Sequence, residues 1–404
     1  MEIGDLKHRI ILQKFTTLVN ENGFEAYVVG GCVRDSLLGR EPGDWDITTS
    51  AKPEEVKDIF KRTIDTGIQH GTVTVMIDHE GYEVTTYRID GEYEDGRHPK
   101  NVEFTSNLLE DLKRRDFTIN AMAYSSSQGL VDAFGGKMDL DQGIIRCVGR
   151  SVDRFTEDAL RILRAIRFAG QLGFSIDDET MDAISVIAPN MAKVSKERIQ
   201  VELTKLLLSG YPEKINLVYE KGIAPYIGEC WEKAGRYGLD HMELIKNLPE
   251  SKHMRWAGFL RRGSSAEAES VLKELKMDND TIYRVKSLVS EWKEDITGDK
   301  PSIRRIMSRL EPSLFDDLLI IKEVFYREYP DTDLGQVQKL AEEIRAAGDC
   351  ISLKSLAVTG QDLLAAGMKP GPKLGEVLGH MLEIVLEFPE FNTREYLLKE
   401  CGLL

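Results

Sequence analysis

The sequence predicts an α+β fold, in which the strands lie in the N-terminal part of the chain and helices make up the rest. Segments 71–77 and 82–88 alternate in polarity and are rich in β-branched residues, a pattern typical of paired strands. Beyond Gly173 the apolar residues follow a helical spacing almost without interruption. A chain of 404 residues is also long enough for two or more domains with their own cores.

Composition narrows the class of protein. Apolar residues make up 42% of the chain and charged residues 30%, as in globular proteins. No stretch approaches the roughly 20 apolar residues of a membrane span, and the N-terminus lacks the apolar core of a signal peptide. The five cysteines are scattered without a CxxC pair, which favours free thiols over a zinc site. We therefore predict a cytoplasmic protein with no membrane partner.

The charge balance argues against a protein that coats nucleic acid. The net charge is −15, whereas a general nucleic-acid surface is basic. Segment 107–170 is the exception, with ten Lys or Arg residues against nine Asp or Glu residues. This local excess fits a cationic cleft for a specific RNA end, and it fits ordinary variation of surface charge equally well.

The first motif with chemical content follows an opening helix predicted over 6–21. A strand at 26–29 leads into a glycine turn, a helix, a loop and a second strand that carries Asp44 and Asp46. Side chains at i and i+2 of a strand share one face, so the two carboxylates project together. Such a pair repels itself unless a cation lies between its members, and hard oxygen ligands suit Mg²⁺.

The glycine turn predicts a binding place for phosphate. Gly30 and Gly31 let the backbone approach a ligand at a helix N-terminus, and Arg34 adds a fork of donors. A phosphate cradle before a metal-binding carboxylate pair is what nucleotidyl transfer requires. Taken singly, each feature has an ordinary alternative, a plain turn or a solvated loop. A dinucleotide site is less favoured, because the third glycine of that motif is missing.

Two further features lie between 83 and 100. Glu83 on the strand 82–88 is either a third acidic group at the metal site or a solvent-facing strand residue. Segment 90–100 is polar, with two glycines and a proline, which predicts a loop.

The order GG-x-V-R-D-x-L-L-G-R … G-D-x-D-I-x-T-S in 30–50 resembles the signature of class II tRNA nucleotidyltransferases and bacterial poly(A) polymerases, within the polymerase-β-like nucleotidyltransferases. The resemblance implies a small mixed β-sheet catalytic head followed by helical neck, body and tail. We expect these four regions at 1–149, 150–210, 211–300 and 301–404.

Segment 111–124, DLKRRDFTINAMAY, matches a second family element. Its Arg114, Arg115 and Asp116 are predicted to open a helix that runs through Met122. The resemblance implies that Arg115 contacts the incoming nucleotide. Without the resemblance, this cluster would be interpreted as a surface ion pair.

A third element, at 155–174, predicts one amphipathic helix that begins near Thr156 and Glu157. Its polar side carries an acid and three bases, namely Asp158, Arg161, Arg164 and Arg167. Without the resemblance, these residues describe a solvated face with an Asp158–Arg161 pair. The pattern E-D-x-L-R-x-x-R-x-x-R matches the family motif that replaces a nucleic-acid template. It implies that Asp158 and Arg161 read the base, while Arg164 and Arg167 support the base or the triphosphate.

The chemistry of the bases fits this implication. Cytosine and adenine present an amino donor beside an unprotonated ring nitrogen, whereas uracil and guanine present a carbonyl beside a ring N–H. A carboxylate that accepts and a guanidinium that donates therefore suit C and A. Unpaired groups in a closed site cost about 1–3 kcal/mol each.

The helical remainder contains fewer signals. Segment 195–210 resembles another family element, in which Glu197 and Arg198 brace the base-reading helix. Segment 356–387 resembles the family tail. There the lysines beside Gly371 and Pro372, namely Lys369 and Lys373, suit an RNA phosphate or simply flank a packed helix. Three tryptophans are expected in the core: Trp231, Trp256 and Trp292.

The function expected from these motifs is addition of C, C and A to the 3′ end of tRNA by two-metal nucleotidyl transfer with Mg²⁺. The expected partners are CTP, ATP, and tRNA bound at its acceptor end and elbow, and no protein partner is implied. The nearest alternative is an A-adding enzyme or poly(A) polymerase. In the family the loop matched by 90–99 is associated with switching from C to A, and enzymes that add only C lack much of it. More distant alternatives are a non-catalytic RNA-binding module and a small-molecule nucleotidyltransferase.

Overall fold

The computed structural model describes residues 6–91, 102–326 and 333–403, and its chain forms two compact units, Met1–Gly235 and Arg236–Leu404. The four regions expected from the sequence are a finer division, and their limits stay predictions. Most of the loop predicted at 90–100 lies outside the described residues. Within the described part of the chain, no helix combines the length and the apolar character needed to cross a bilayer.

The first unit is built on a seven-stranded sheet. Its strands are β1 Ala26–Val29, β2 Asp46–Thr49, β3 Thr63–Gly67, β4 Thr72–Ile77, β5 Glu80–Thr86, β8 Ala123–Ser125 and β9 Gly129–Val131. They lie in the order β3-β4-β5-β2-β1-β8-β9. The β2 and β5 strands run parallel and the other neighbours are antiparallel, which confirms the predicted mixed sheet. Two small strand pairs accompany it: β6 Arg88–Asp90 with β7 Val102–Phe104, and β10 Ile144–Ile145 with β11 Ser175–Ile176.

The central strands form because their residues suit burial. All four residues of β1 are buried, and on β2 the side chains of Ile47 and Thr48 are 1% and 0% exposed. A buried residue on each face of β2 means that both faces of the sheet are covered there. The predicted strands at 26–29, 71–77 and 82–88 are therefore confirmed as β1, β4 and β5, with ends shifted by at most two residues.

Helices cover the sheet and continue beyond it. In the first unit they are α1 Leu6–Glu21, α2 Gly31–Leu37, α3 Pro53–Ile59, α4 Leu108–Lys113, α5 Gly136–Gln142, α6 Ser151–Glu157, α7 Leu160–Leu172, α8 Asp178–Ile187, α9 Lys196–Leu207, α10 Asn216–Glu220 and α11 Ala224–Ile227. Helix α12, Glu229–Gly238, contains the division between the units.

The predicted helix at 114–122 is wrong. Helix α4 ends at Lys113, before Arg114, Arg115 and Asp116, and only a short 3₁₀ turn follows at Thr118–Asn120. The Asp111 side chain accepts hydrogen bonds from the two arginines, so these residues close one helix and do not open the next.

The single helix predicted over 155–174 is also wrong. It is divided into α6 and α7 at Asp158, whose backbone is extended at φ −146° and ψ 103°. The Asp158 carboxylate accepts a hydrogen bond from the Leu160 N–H at 3.1 Å. Aspartate competes for backbone N–H groups in this way and so favours helix ends over helix interiors. Thr156 and Glu157 consequently end α6 and do not begin a helix.

Among its described residues, the second unit contains helices and no strands. Its helices are α13 Lys252–Leu260, α14 Ser265–Glu274, α15 Asn279–Trp292, α16 Lys300–Arg309, α17 Pro312–Val324, α18 Leu334–Ala347, α19 Gly360–Ala365, α20 Pro372–Glu387 and α21 Arg394–Glu400. Trp256 and Trp292 are buried here, and Trp231 is buried in the first unit, which confirms their predicted place in the core. A separate apolar cluster at the C-terminal end joins residues of α19, α20 and α21.

Replacing Gly136 by alanine should destabilise the first unit, because a Cβ there would lie 2.2 Å from the carbonyl oxygen of Thr118. Overpacking of this kind costs about 1–3 kcal/mol in the free energy of unfolding. Urea denaturation of Gly136→Ala and of the wild type measures this loss in the free energy of unfolding. The matched control is Gly210→Ala, because a Cβ at Gly210 has no neighbour within 4 Å. Equal stability of the two variants would contradict the close approach of α5 to Thr118.

Candidate active site

The glycine turn connects β1 with α2 and brings the backbone against an arginine. Gly30 has φ 81°, a conformation that favours glycine. A Cβ at Gly30 would lie 3.3 Å from Nη1 of Arg115 and 3.7 Å from the carbonyl oxygen of Asn120. The turn therefore requires glycine twice, for its backbone angle and for the guanidinium packed on it.

The carboxylate pair lies where β2 begins. Asp46 is the first residue of the strand, whereas Asp44 is exposed and lies two residues before it. The prediction that the strand carries both aspartates is therefore wrong for Asp44. Burial, together with the nearby charges of Asp44 and Glu83, raises the pKa of Asp46 to about 6, although Arg115 acts in the opposite direction. The negative charge of this pair is thus not fully compensated by the protein.

This donor set fits a divalent cation. The carboxylates of Asp44 and Asp46, two residues apart, supply hard oxygen ligands, and the raised pKa of Asp46 reflects a missing positive charge. Glu83 lies directly opposite Asp46 in the parallel β2–β5 ladder, and its side chain is exposed. Among the described residues, no three His, Cys, Asp or Glu side chains are gathered closely enough to hold an ion alone. The aspartate pair at the start of β2 is the group that would hold one.

Arg115 is oriented by a buried acid that the sequence did not single out. Asp111 is 0% exposed, and it accepts from Arg115 Nη2 at 3.2 Å and from Arg114 Nε at 2.9 Å. Burial alone would raise the pKa of Asp111, but the charges of Arg115 and Arg114 outweigh it and the pKa is lowered. The hydroxyl of Thr48, on β2, donates to the same carboxylate. Asp111 therefore fixes Arg115 beside the strand that carries Asp46.

A chain of hydrogen bonds links Arg34 to α7. Arg34 Nη1 donates to Asn120 Oδ1 at 2.7 Å, and Asn120 Nδ2 donates to Asp116 Oδ1 at 3.2 Å. Asp116 Oδ2 accepts from Arg164 Nε and Nη2 at 2.8 and 2.6 Å. Arg34 also donates to both oxygens of Asp35 at 2.9 Å. The fork predicted for phosphate is thus already oriented by the protein, with three of its five N–H groups in use.

An aromatic ring gathers the arginines predicted from two separate motifs. The guanidinium carbons of Arg34, Arg164 and Arg167 lie 5.1, 5.4 and 3.8 Å from the centre of the Phe168 ring. Phe168 is 5% exposed and meets Phe117 edge-on at 5.8 Å. Cation–π contacts of this kind hold side chains of like charge near one another. The structure brings Arg34 together with Arg164 and Arg167, which are 130 and 133 positions further along the chain.

The two residues predicted to read the base have different partners in the structure. Asp158 pairs with Arg198, at 2.7 Å to Nη2 and 3.3 Å to Nη1. Arg161 Nη1 donates to Glu157 Oε2 at 2.6 Å, and Arg161 Nη2 donates to the carbonyl oxygen of Arg114 at 3.1 Å. The simple Asp158–Arg161 ion pair weighed from the sequence is therefore not the arrangement found.

The brace of α7 differs from the prediction in one residue. Arg198 contacts Asp158 as expected, whereas Glu197 is exposed and Glu202 provides the second brace, through an ion pair with the buried Arg167. Arg198 and Glu202 are four residues apart on α9, so they share a helix face. The four-residue spacing could have indicated from the sequence that Glu202 acts beside Arg198. No comparable spacing pointed to the roles of Asn120 and Asp111.

The predicted phosphate contact of the second unit lies at the start of α20. Gly371 has φ 154° and precedes the helix. Lys369 and Lys373 line a groove of about 550 Å³ whose apolar side includes Met368, Cys401 and Leu403.

Comparison with known proteins covers most of the chain. The model of the poly(A) polymerase head domain matches residues 26–146, a polymerase A segment described as an RNA- and SrmB-binding site matches 173–231, and tRNA nucleotidyltransferase domain 2 matches 248–401. The chain is 40% identical to a CCA-adding enzyme of Enterococcus faecalis over 393 residues, 94% of this chain and 92% of the relative. It is 37% identical to that of Streptococcus mutans over 385 residues, 93% and 92% of the two chains.

Solved structures agree with these relatives. The chain matches the crystal structure of the Bacillus stearothermophilus CCA-adding enzyme in complex with CTP, with a TM-score of 0.80 and 32% identity. The match covers 96% of each chain. The similarity thus extends over both compact units.

Asp46→Asn should raise the melting temperature of the metal-free protein at about pH 7.5, because it removes a carboxylate that burial and Asp44 destabilise when ionised. The folded-state pKa of about 6 lies above the ordinary value of 3.8. The native state therefore binds the proton more tightly, and the free energy of unfolding falls as pH rises through this interval.

The gain from Asp46→Asn is accordingly full at about pH 7.5 and smaller at about pH 5, as read by thermal denaturation at both values. Asp153→Asn is the control, because the Asp153 side chain on α6 is 54% exposed. A gain of the same size at both pH values, or in the control, would contradict the strained carboxylate pair.

Proposed function

The chain belongs to the family of CCA-adding enzymes, which are nucleotidyltransferases, and we propose that it adds C, C and A to the 3′ end of tRNA from CTP and ATP with Asp44 and Asp46 at the reacting atoms. The observation that carries the proposal is the raised pKa of Asp46 at a site shared with Arg115 and the Gly30 turn. An uncompensated carboxylate next to donors for phosphate suits a metal-bound triphosphate.

Asp44 and Asp46 are the proposed ligands of the metal. Dependence on a divalent metal is general in the family, and Mg²⁺ is the ion that we propose because both ligands are hard carboxylate oxygens. When bound in a two-metal site, it lowers the pKa of the attacking 3′-hydroxyl and stabilises the departing pyrophosphate. The protein's part is to hold the two carboxylates side by side in their ionised form.

The triphosphate is proposed to lie over the Gly30–Gly31 turn. The Arg34 fork lies beside Gly31, because the nearest atom to a Cβ built there is Arg34 Nη2 at 3.7 Å. Arg115 lies on the same turn, with its direction fixed by Asp111. Arg34 is held by Asn120 and Asp35 and keeps N–H groups for an anion. Groups that are oriented before the reaction stabilise the developing charge without the cost of reorganisation.

Asp158 and Arg161 are the proposed selectors of the base. Asp158 only accepts and Arg161 only donates, which matches the pairing edges of cytosine and adenine and opposes those of uracil and guanine. Arg198 and Glu157 hold the two selectors in fixed directions, so that a wrong base cannot easily re-orient them. Arg164 and Arg167 support this site from α7, where Asp116 and Glu202 hold them.

The helical remainder is proposed to bind the tRNA. The acceptor end would lie at the carboxylates, and the elbow would lie on the second unit, where the Lys369–Lys373 groove offers positive charge to phosphate. We also propose a cytoplasmic location, in keeping with five cysteines that form no disulfide.

The second candidate is an enzyme that adds only A, or a poly(A) polymerase. The head-domain model that matches 26–146 bears the poly(A) polymerase name, which is the observation in its favour. The loop at 90–99 that the sequence offered as a discriminator lies largely outside the described residues.

A set of three tRNAs separates these candidates. One ends before the first C, one before the second C and one before the A, and each is incubated with CTP, ATP or both. Extension of all three to a complete end supports CCA addition. If the two shorter tRNAs are not extended with CTP present, the result favours an enzyme that adds only A. If no RNA is extended, the proposal that the protein is a nucleotidyltransferase is wrong.

Asp44→Ala should lower kcat by about a thousandfold or more, because loss of one metal ligand removes several kcal/mol of transition-state stabilisation. The measurement is single-nucleotide addition of radiolabelled CTP to tRNA. Its folding control is the melting temperature, which should not fall, since Asp44 is exposed. Activity within tenfold of the wild type would contradict the assigned role.

Asp158→Ala should weaken base discrimination more than overall catalysis. The ratio of kcat/KM for CTP to that for UTP should fall by about tenfold to a hundredfold, because the acceptor that opposes the uracil carbonyl is lost. Asp153→Ala is the control on the adjoining helix α6, since its carboxylate is exposed. If the two variants show the same ratio, Asp158 does not read the base.

A further inference from the structure

We infer that His8, on α1, is a positioning residue for the carboxylate pair, through its stacking on Trp45. This inference deepens the proposed function and rests on the metal-binding role of Asp44 and Asp46. Helix α1 lies before residue 26, where the match to the head-domain model begins, so that model assigns it no part in the site.

Trp45 lies between the two candidate ligands in the sequence, and its side chain is buried. It is 6% exposed, whereas Asp44 before it is exposed. Its indole Nε1 is buried, and within the described part of the chain that atom has no hydrogen-bond partner. Packing is therefore what holds the indole in place.

The His8 ring supplies part of that packing. The imidazole stacks on the indole, with ring centres 5.1 Å apart and planes inclined by 23°. Only Asp46 belongs to the ladder of β2, so Asp44 depends on the anchoring of its neighbour Trp45. A stack that fixes Trp45 thereby fixes the direction in which Asp44 leaves the strand.

Two acids from other segments lie near the imidazole. His8 Nδ1 lies 3.7 Å from Glu41 Oε1, in the loop that leads to Asp44, and Nε2 lies 3.8 Å from Glu80 Oε2, at the start of β5. Glu80 in turn accepts from the hydroxyl of the buried Tyr82 at 3.1 Å. The His8 ring therefore lies close to both segments that flank the carboxylate pair, since β5 also carries Glu83 opposite Asp46.

Helix α1 is anchored independently of His8. Ile11, Phe15 and Val19 are buried, and Phe15 stacks on Phe60 with ring centres 4.5 Å apart. Loss of the His8 ring should thus leave α1 in place and release Trp45 alone. Because α1 does not depend on His8 for its anchoring, the contact of His8 with Trp45 serves to align the metal ligands and not to hold the helix.

The test measures binding of Mn²⁺ by isothermal titration calorimetry, together with addition of CTP to tRNA. His8→Ala should weaken Mn²⁺ binding about fivefold and lower kcat by a similar factor, as expected for the loss of one aromatic stack. The KM for CTP should stay unchanged, because the Gly30 turn and Arg115 are untouched. His8→Phe keeps an aromatic ring over Trp45 and should restore both quantities.

Ile10→Ala is the matched control, since Ile10 is on the same helix and 44% exposed. Wild-type Mn²⁺ binding in His8→Ala, or an equal loss in His8→Phe and His8→Ala, would overturn the inference. If His8→Ala folds poorly, His8→Gln removes the ring and is judged by the same two outcomes. Metal binding decides the role of His8 even if no RNA is extended, whereas failure of nucleotide addition in the wild type would overturn the proposed function separately.

Discussion

The ion pair between the buried Asp116 and Arg164 is the interaction on which the proposed site depends. Burial opposes the ionised form of Asp116, but Arg164 outweighs it and lowers the pKa to about 2. From this pair the contacts extend through Asn120 to Arg34 and over Phe168 to Arg167. The pair therefore fixes the position of the proposed triphosphate contacts relative to helix α7. It thereby also sets the spacing between the groups proposed to bind the triphosphate and those proposed to bind the base.

At the carboxylate pair of Asp44 and Asp46, the nearby arginine does not outweigh the effect of burial on the pKa of Asp46. Asp116 and Asp111 are buried acids that arginines compensate, whereas the pKa of Asp46 stays raised although Arg115 is near. A fold selected only for stability would not keep such a group. Its retention is understandable if a cation and a nucleotide supply the missing charge, so that the same residue weakens the free protein and serves the reaction.

The sequence was sufficient to predict elements that depend on local pattern. The buried strand β1, the glycine turn and the alternating strands β4 and β5 follow from side-chain periodicity and backbone freedom. It was not sufficient where tertiary contacts decide. The break at Asp158 arises because its carboxylate bonds the Leu160 N–H and Arg198, and α4 ends where Asp111 binds two arginines. Partners such as Asn120 and Glu202 lie far along the chain from the residues that they orient.

The most direct test of this account is a crystal structure of the protein with Mg²⁺ and a CTP analogue that cannot transfer its nucleotide. The account predicts metal at Asp44 and Asp46, the triphosphate on the Gly30 turn beside Arg115, and the cytosine edge against Asp158 and Arg161. A nucleotide bound elsewhere, or a metal that does not contact either aspartate, would contradict it.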